Sequence, residues 1–169
     1  MTDKNVLITG AAQRIGRAIS MDLVNAGWAV VVHYNSSEEA AQDVLREISD
    51  TGGKAVALQA DLSQEKETST LISRAADAVG PLTCLVNNAS IFEHDAPETV
   101  TQESWDTHMQ INLRAPFVLS QAFAEQAPNT TSCNIINIID QRVWNLTPDF
   151  TSYTLSKAGL WTLTQTLAM

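Results

Sequence analysis

Asn5-Val6-Leu7-Ile8-Thr9-Gly10-Ala11-Ala12-Gln13-Arg14-Ile15-Gly16 is the stretch on which the fold turns. The apolar run bounded by polar residues predicts a buried strand from Asn5 to Thr9. A turn with two glycines follows, then apolar residues at helical spacing, Ile15, Ala18, Ile19, Leu23 and Ala26, before Gly27 ends the segment. Gly10 allows a sharp turn and close approach of the backbone to a pyrophosphate, and Gly16 allows tight helix–strand packing. The bare N–H groups at the helix start, around Arg14 and Ile15, face such an anion, and Arg14 adds a full positive charge. Two glycines are a weak signal by themselves. Their place, after a first strand and before an amphipathic helix, is what points to a nucleotide phosphate.

Outward from this turn, short β-branched runs alternate with longer segments of helical period. That alternation predicts an α/β fold, a doubly wound parallel sheet of Rossmann type with helices on both faces. Trp28 to Tyr34 is a second strand, and Ser36-x-x-Glu39 reads as a capping box opening a helix with Ala41, Val44, Leu45 and Ile48 inward. Gly52-Gly53 closes it. Lys54 to Gln59 is a third strand, and Ser63 is placed as the cap of a helix whose inner stripe is Leu71, Ile72, Ala75, Ala78 and Val79. Gly80-Pro81 breaks that helix. Leu82 to Asn87 is a fourth strand, Thr101 to about Gln126 one long helix carrying Trp105, Met109, Asn112 and Leu113, and Asn134 to Ile139 a fifth strand. A last helix starts near Tyr153 and has no terminator before Met169. A sheet of this order runs on past its fifth strand, so a C-terminally incomplete fold is expected.

The 169 residues suit one domain, 1–169, and give no ground for a second. Ten Lys and Arg against nineteen Asp and Glu leave a net charge of −9, the wrong sign for neutralising nucleic-acid phosphates or an anionic membrane. Apolar runs fall far short of a bilayer span, and the start, Met-Thr-Asp-Lys, lacks a signal-peptide layout, so a cytoplasmic address is expected. Cys84 and Cys133 are read as small buried residues, no metal site is expected, and Asn-x-Ser/Thr matches such as Asn129-Thr130-Thr131 are read as chance.

An NAD site places an acid roughly 20 residues after the glycine turn, where it binds the ribose hydroxyls and repels a 2′-phosphate. Here Asn35-Ser36-Ser37 stands instead, and these neutral donors, with Arg14, favour NADPH. Tyr153 and Lys157, four apart, project from one face of the last helix. A neighbouring ammonium stabilises a phenolate and draws its pKa toward the working range.

The set Thr9-Gly10-x5-Gly16, Asn87-Asn88-Ala89, Asn112 and Tyr153-x-x-x-Lys157, in this order, resembles the short-chain dehydrogenase/reductase family over essentially the whole chain. The resemblance implies that Asp61 and Leu62 lie against the adenine and that Asn88 and Ala89 border the cofactor cleft. It also implies that Tyr153 is the proton donor, that Lys157 binds the nicotinamide ribose and lowers the Tyr pKa, and that Asn112 holds a water in the proton relay. A homotetramer is implied as well, consistent with apolar residues on more than one face of the last helix, Leu155, Leu160, Trp161, Leu163 and Leu167.

Three positions depart from the commonest family pattern: Arg14 for the middle glycine of the turn, Ser90 for the glycine after Asn-Ala, and Asp140 for the serine ending the fifth strand. All three resemble pteridine reductases. That resemblance implies that Arg14 touches cofactor phosphate and substrate, that Ser90 and Phe92 line the substrate site with Phe92 stacking a pterin, and that Asp140 works with Tyr153 to protonate a ring nitrogen. A carboxylate suits the N–H groups of a pterin edge or a proton relay, whereas an ionised one repels a carbonyl oxygen. The expected activity is NADPH-dependent reduction of a pteridine or related heterocycle. A general carbonyl or 3-oxoacyl reductase, and a non-catalytic NADP(H)-binding sensor or scaffold, stand as alternatives. His33, His94 and His108 are read as non-catalytic. Trp144 and Phe150 either line the substrate pocket or pack the loop down.

Overall fold

The computed structural model describes residues 4–129 and 131–169; the first three residues and Thr130, part of one Asn-x-Ser/Thr match, lie outside them. Five parallel strands, β1 (Asn5–Ile8), β2 (Ala29–Tyr34), β3 (Lys54–Gln59), β4 (Cys84–Asn87) and β5 (Asn134–Asn137), form one sheet in the order β3-β2-β1-β4-β5. Asn5 faces Ala29, Ala29 faces Lys54, Val6 faces Cys84 and Cys84 faces Asn134. The order reverses between β1 and β4, and in sheets of this kind the crevice past the strand ends opens at that reversal.

The alternation of side chains along the strands feeds two cores. Val6, Ile8, Val30, Val32 and Val86 face one side, against α1 (Arg14–Asn25) and α2 (Glu38–Asp50). Leu7, Val31 and Leu85 face the other, against Leu71, Ile72 and Ala75 of α3 (Glu65–Val79) and Leu119 and Phe123 of α5 (Ala115–Gln126). α4 (Gln102–Met109) precedes α5, and α6 (Thr151–Leu167) follows β5. Among the described residues no helix is long and apolar enough to cross a membrane.

Several local expectations are corrected. α1 buries Gly16, Ser20 and Val24, while Ile15 is 60% exposed and Ala18 and Ala26 face outward. Ile19 and Leu23 do pack against the core, but the helix lies close enough to the sheet for Gly16 and Ser20 to be buried as well, and apolar periodicity does not register closeness. Ala78 of α3 is likewise exposed. Neither serine cap forms: α2 has Ser37 at its cap without a side-chain bond, and α3 has Gln64. The Ser63 hydroxyl instead accepts Gln64 Nε2 at 3.0 Å, and its N–H closes a local turn on Asp61 Oδ1 at 2.9 Å.

The long helix is also not uniform. A π-helical turn, Gln110–Arg114, separates α4 from α5 and holds the fully buried Asn112. Such turns insert one residue and concentrate at functional sites. Pro116, four residues after Asn112, has no N–H for the Asn112 carbonyl, so the ordinary helical bond is unavailable there.

Candidate active site

The phosphate turn is bolted to the strands on both sides of the reversal. Thr9 Oγ1 accepts the N–H groups of Asn88 and Ala89 at 3.0 and 2.9 Å, and Asn88 Nδ2 donates to the carbonyls of Thr9 and Gly10 at 2.8 and 3.1 Å. Gly10 has φ +62°, where a glycine is unstrained, and a Cβ on Gly16 would lie 2.2 Å from the Gly10 carbonyl oxygen. Both positions therefore demand glycine. Arg14 also takes a left-handed φ of 50°, uncommon for a residue with a side chain and typical of functional turns. It is exposed and forms no ion pair among the described residues.

Asn35, Ser36 and Ser37 leave β2 at the same end of the sheet, with Asn35 and Ser36 exposed. Asp61 follows β3 and is half-buried, whereas the Leu62 side chain packs into the core. Leu62 thus has only its backbone to offer a nucleotide, a narrower part than the resemblance implies.

Past the reversal, the structure brings together the side chains that the resemblance singles out. Asp140 follows β5 and caps the 3-10 turn Gln141–Val143, its Oδ1 accepting the Arg142 N–H at 2.9 Å. Its Oδ2 accepts the hydroxyl of Tyr153 at 2.9 Å. Lys157, one turn further along α6, is buried and donates from Nζ to the Ile138 carbonyl at 2.9 Å. Asn137 Nδ2 donates to Thr164 Oγ1 at 2.9 Å and Asn87 Nδ2 to Asn137 Oδ1 at 2.8 Å, so α6 is tied to the ends of β5 and β4.

Burial pushes the Tyr153 phenol well above its ordinary range, and the hydrogen bond and charge of Asp140 push it further; Arg142 and Ser90 oppose. The lowering expected from Lys157 is not among these influences: its ammonium donates to the Ile138 carbonyl and stands 5.9 Å from the Tyr153 ring centroid. Burial draws Lys157 itself down to about 8, against the pull of Asp140.

The Asn112 side chain is saturated. Its Nδ2 donates to the Ile91 carbonyl and Ser156 Oγ, and its Oδ1 accepts from the Ile91 N–H and Ser90 Oγ, which uses both donors and both lone pairs. These bonds make the side chain a tie for the loop after β4.

Phe92 is exposed on that loop, edge-on to Tyr153 at 4.6 Å between centroids. One face of it is stacked on Phe150, at 4.3 Å and 10°. Phe150 thus packs against the loop after β4, while Trp144 packs edge-on against Trp161 of α6 at 5.4 Å.

A second network lies beneath. Buried Asp95 accepts the Ser152 N–H at 3.1 Å, the Ser104 hydroxyl at 2.7 Å and the Ser152 hydroxyl, and His108 Nδ1 lies 2.8 Å from Ser152 Oγ. Burial raises the Asp95 pKa, but its bonds from Ser152 and Ser104 outweigh that and hold it below the usual carboxylate range, with His108 helping. Phe150, at the head of α6 with φ 61°, offers no side-chain cap, and Asp95 supplies the anion there from a distance. His108 is thus structural, as is His33, whose ring bonds Gly10 and Ala60. The sequence holds no local signal for Asp95, whose partners are nine and 57 residues away.

The profile of short chain dehydrogenases matches residues 4–169. The chain belongs to this family. As a short-chain dehydrogenase it is 40% identical over 121 residues to the hydroxynaphthalene reductase-like protein Arp2 of Metarhizium robertsii, covering 72% of this chain and 45% of that protein. The crystal structure of FolM, alternative dihydrofolate reductase 1 from Brucella canis complexed with NADP, aligns at a TM-score of 0.93 with 42% identity, over 97% of this chain and 66% of that one. The angucycline C-6 ketoreductase LanV with bound NADP aligns at 0.88 with 34% identity, over 95% and 64%. This short-chain dehydrogenase spans 45% to 66% of the length of the curated relatives it matches.

Proposed function

We propose that the protein is an NADPH-dependent reductase acting on the C=N bond of a dihydropteridine or related heterocycle, with Tyr153 and Asp140 managing the proton. The observation that carries this is the 2.9 Å bond from the Tyr153 hydroxyl to Asp140 Oδ2. A phenol raised by burial is protonated at neutral pH, the state a proton donor requires. The carboxylate accepts N–H groups, so an amino-substituted ring suits it better than a ketone oxygen.

The residues fit the cofactor. Gly10 and Gly16 let the turn pack tightly against Asn88 and Ala89, where any Cβ would collide, Arg14 is exposed on that turn, and Asn35, Ser36 and Ser37 put no carboxylate against a 2′-phosphate. Asn88 and Ala89 border the cleft, Asp61 flanks it, and Lys157 has N–H groups beyond the one on Ile138 for a ribose. When bound, NADPH supplies the hydride. The chain's residues orient the ring, exclude water and deliver the proton from Tyr153 Oη, while Asp140 Oδ2 holds that hydroxyl in position. The name of the Brucella neighbour, a dihydrofolate reductase bound to NADP, supports both cofactor and substrate class.

The ketoreductase among the neighbours favours carbonyl reduction as the second reading. Purified full-length protein should oxidise NADPH with dihydrobiopterin or dihydrofolate. Oxidation with ketones or acyl thioesters, and with neither pteridine, would replace the pteridine assignment by a general carbonyl reductase.

For assembly we propose a homotetramer. Leu155 is 44% and Trp105 38% exposed, and a groove of about 680 Å³ lined by Met109, Leu113, Phe117 and Leu163 runs along α4, α5 and α6. A second copy of the same surface would cover these apolar residues. Sedimentation of the full-length protein as a stable monomer would contradict it.

A further inference from the structure

Arg142 is the cation that the proposed chemistry leaves over. Arg14 stands at the phosphate turn and Lys157 behind Tyr153, but Arg142 lies on the substrate side, on the 3-10 turn that Asp140 caps. Its guanidinium carbon is 4.6 Å from the Phe150 ring centroid and 5.7 Å from that of Phe92. One N–H, on Nη1, donates to Thr147 Oγ1. Among the described residues it is in no ion pair, whereas Arg17, Arg46 and Arg114 each hold a carboxylate.

A guanidinium carries five N–H donors in a rigid fork, and contact with aromatic rings fixes its plane without using them. Only one is committed to a side chain here. Asp140 is bonded to the Arg142 main-chain N–H through Oδ1 and to Tyr153 through Oδ2, and it forms no ion pair with the guanidinium. The same two rings that flank the guanidinium include the one nearest Tyr153, so a flat substrate seated against Phe92 brings its substituent to Arg142.

Resting on the pteridine reading above, we infer that Arg142 reads an anionic side arm of the substrate and selects reduced pteridines bearing a carboxylate over neutral ones. The carboxylate meets the free edge of the fork while the ring meets Asp140 and Tyr153. A carboxylate with two good oxygens suits this fork bidentately.

The test is steady-state oxidation of NADPH by the full-length protein with dihydrofolate, which carries a glutamate, and with dihydrobiopterin, which carries none. Arg142→Gln is expected to raise KM for dihydrofolate about tenfold more than KM for dihydrobiopterin, and Arg142→Lys to recover part of the difference. Equal changes in the two KM values, or a fall in kcat for both with KM unmoved, would overturn the inference and make Arg142 a support of the loop or of Tyr153. Turnover of neither pteridine by the wild type would remove the pteridine reading and this inference with it. Turnover of both with equal response to Arg142→Gln removes the inference alone.

Discussion

Tyr153→Phe lowers kcat on the preferred substrate by about 10²- to 10⁴-fold, the range over which a positioned proton donor contributes. The ring itself has structural work, lying edge-on to Phe92 at 4.6 Å and to His108 at 6.1 Å, and phenylalanine preserves both contacts. What disappears is the hydroxyl that bonds Asp140 Oδ2. Since the proton moves only as the reaction proceeds, kcat and kcat/KM should fall together with a far smaller change in KM. A kcat within about tenfold of wild type would show that a group other than Tyr153 donates. Single-turnover measurement with NADPH in excess separates this chemistry from product release.

How far such a site is legible before any coordinates depends on how far apart its partners lie in the chain. Tyr153 and Lys157 share a helical turn, and Asp140 follows a strand whose position in the alternation is plain, so the family resemblance has short motifs on which to place all three. Lys54–Gln59 keeps its predicted bounds, because a parallel strand needs little more than a short apolar run, here Ala55 to Leu58, between turn residues. The inward face of α1 follows only in part from its pattern: Ile19 and Leu23 pack on the core as the period predicts, but Gly16 and Ser20 are buried beside them, where close approach matters more than apolar area. The π turn at Asn112 adds one residue inside a helix and leaves the average period almost untouched; Pro116 is its only local trace. Asp95 heads α6 from 57 residues away, and Arg142 and Phe150 acquire meaning only when the loop after β4 is seen against them. Remote partners of this kind carry no periodic signature.

Acidification from pH 6.5 to about 4 should cost the fold about 3 kcal/mol through one side chain, His33. It is fully enclosed in β2, where Nδ1 accepts the Gly10 N–H at 3.0 Å and Nε2 stands 3.0 Å from the Ala60 carbonyl, an arrangement that requires the neutral ring with its hydrogen on Nε2. Burial drives its pKa from 6.5 down to about 4; the Ala60 bond opposes and the charge of Arg74 adds to the fall. Between those two values the unfolded chain binds a proton that the folded chain refuses, so stability drops as the pH drops, and the loss from this group is complete below about 4. Protonation would set a hydrogen on Nδ1 against the Gly10 N–H, donor facing donor, so the phosphate turn is the part of the fold that bears the cost. Urea unfolding of the wild type and of His33→Gln across this interval checks it, since carboxylates titrate alike in both proteins. The wild-type curve should fall more steeply, and NADPH affinity with it. Parallel curves would mean that His33 takes up its proton without disturbing Gly10.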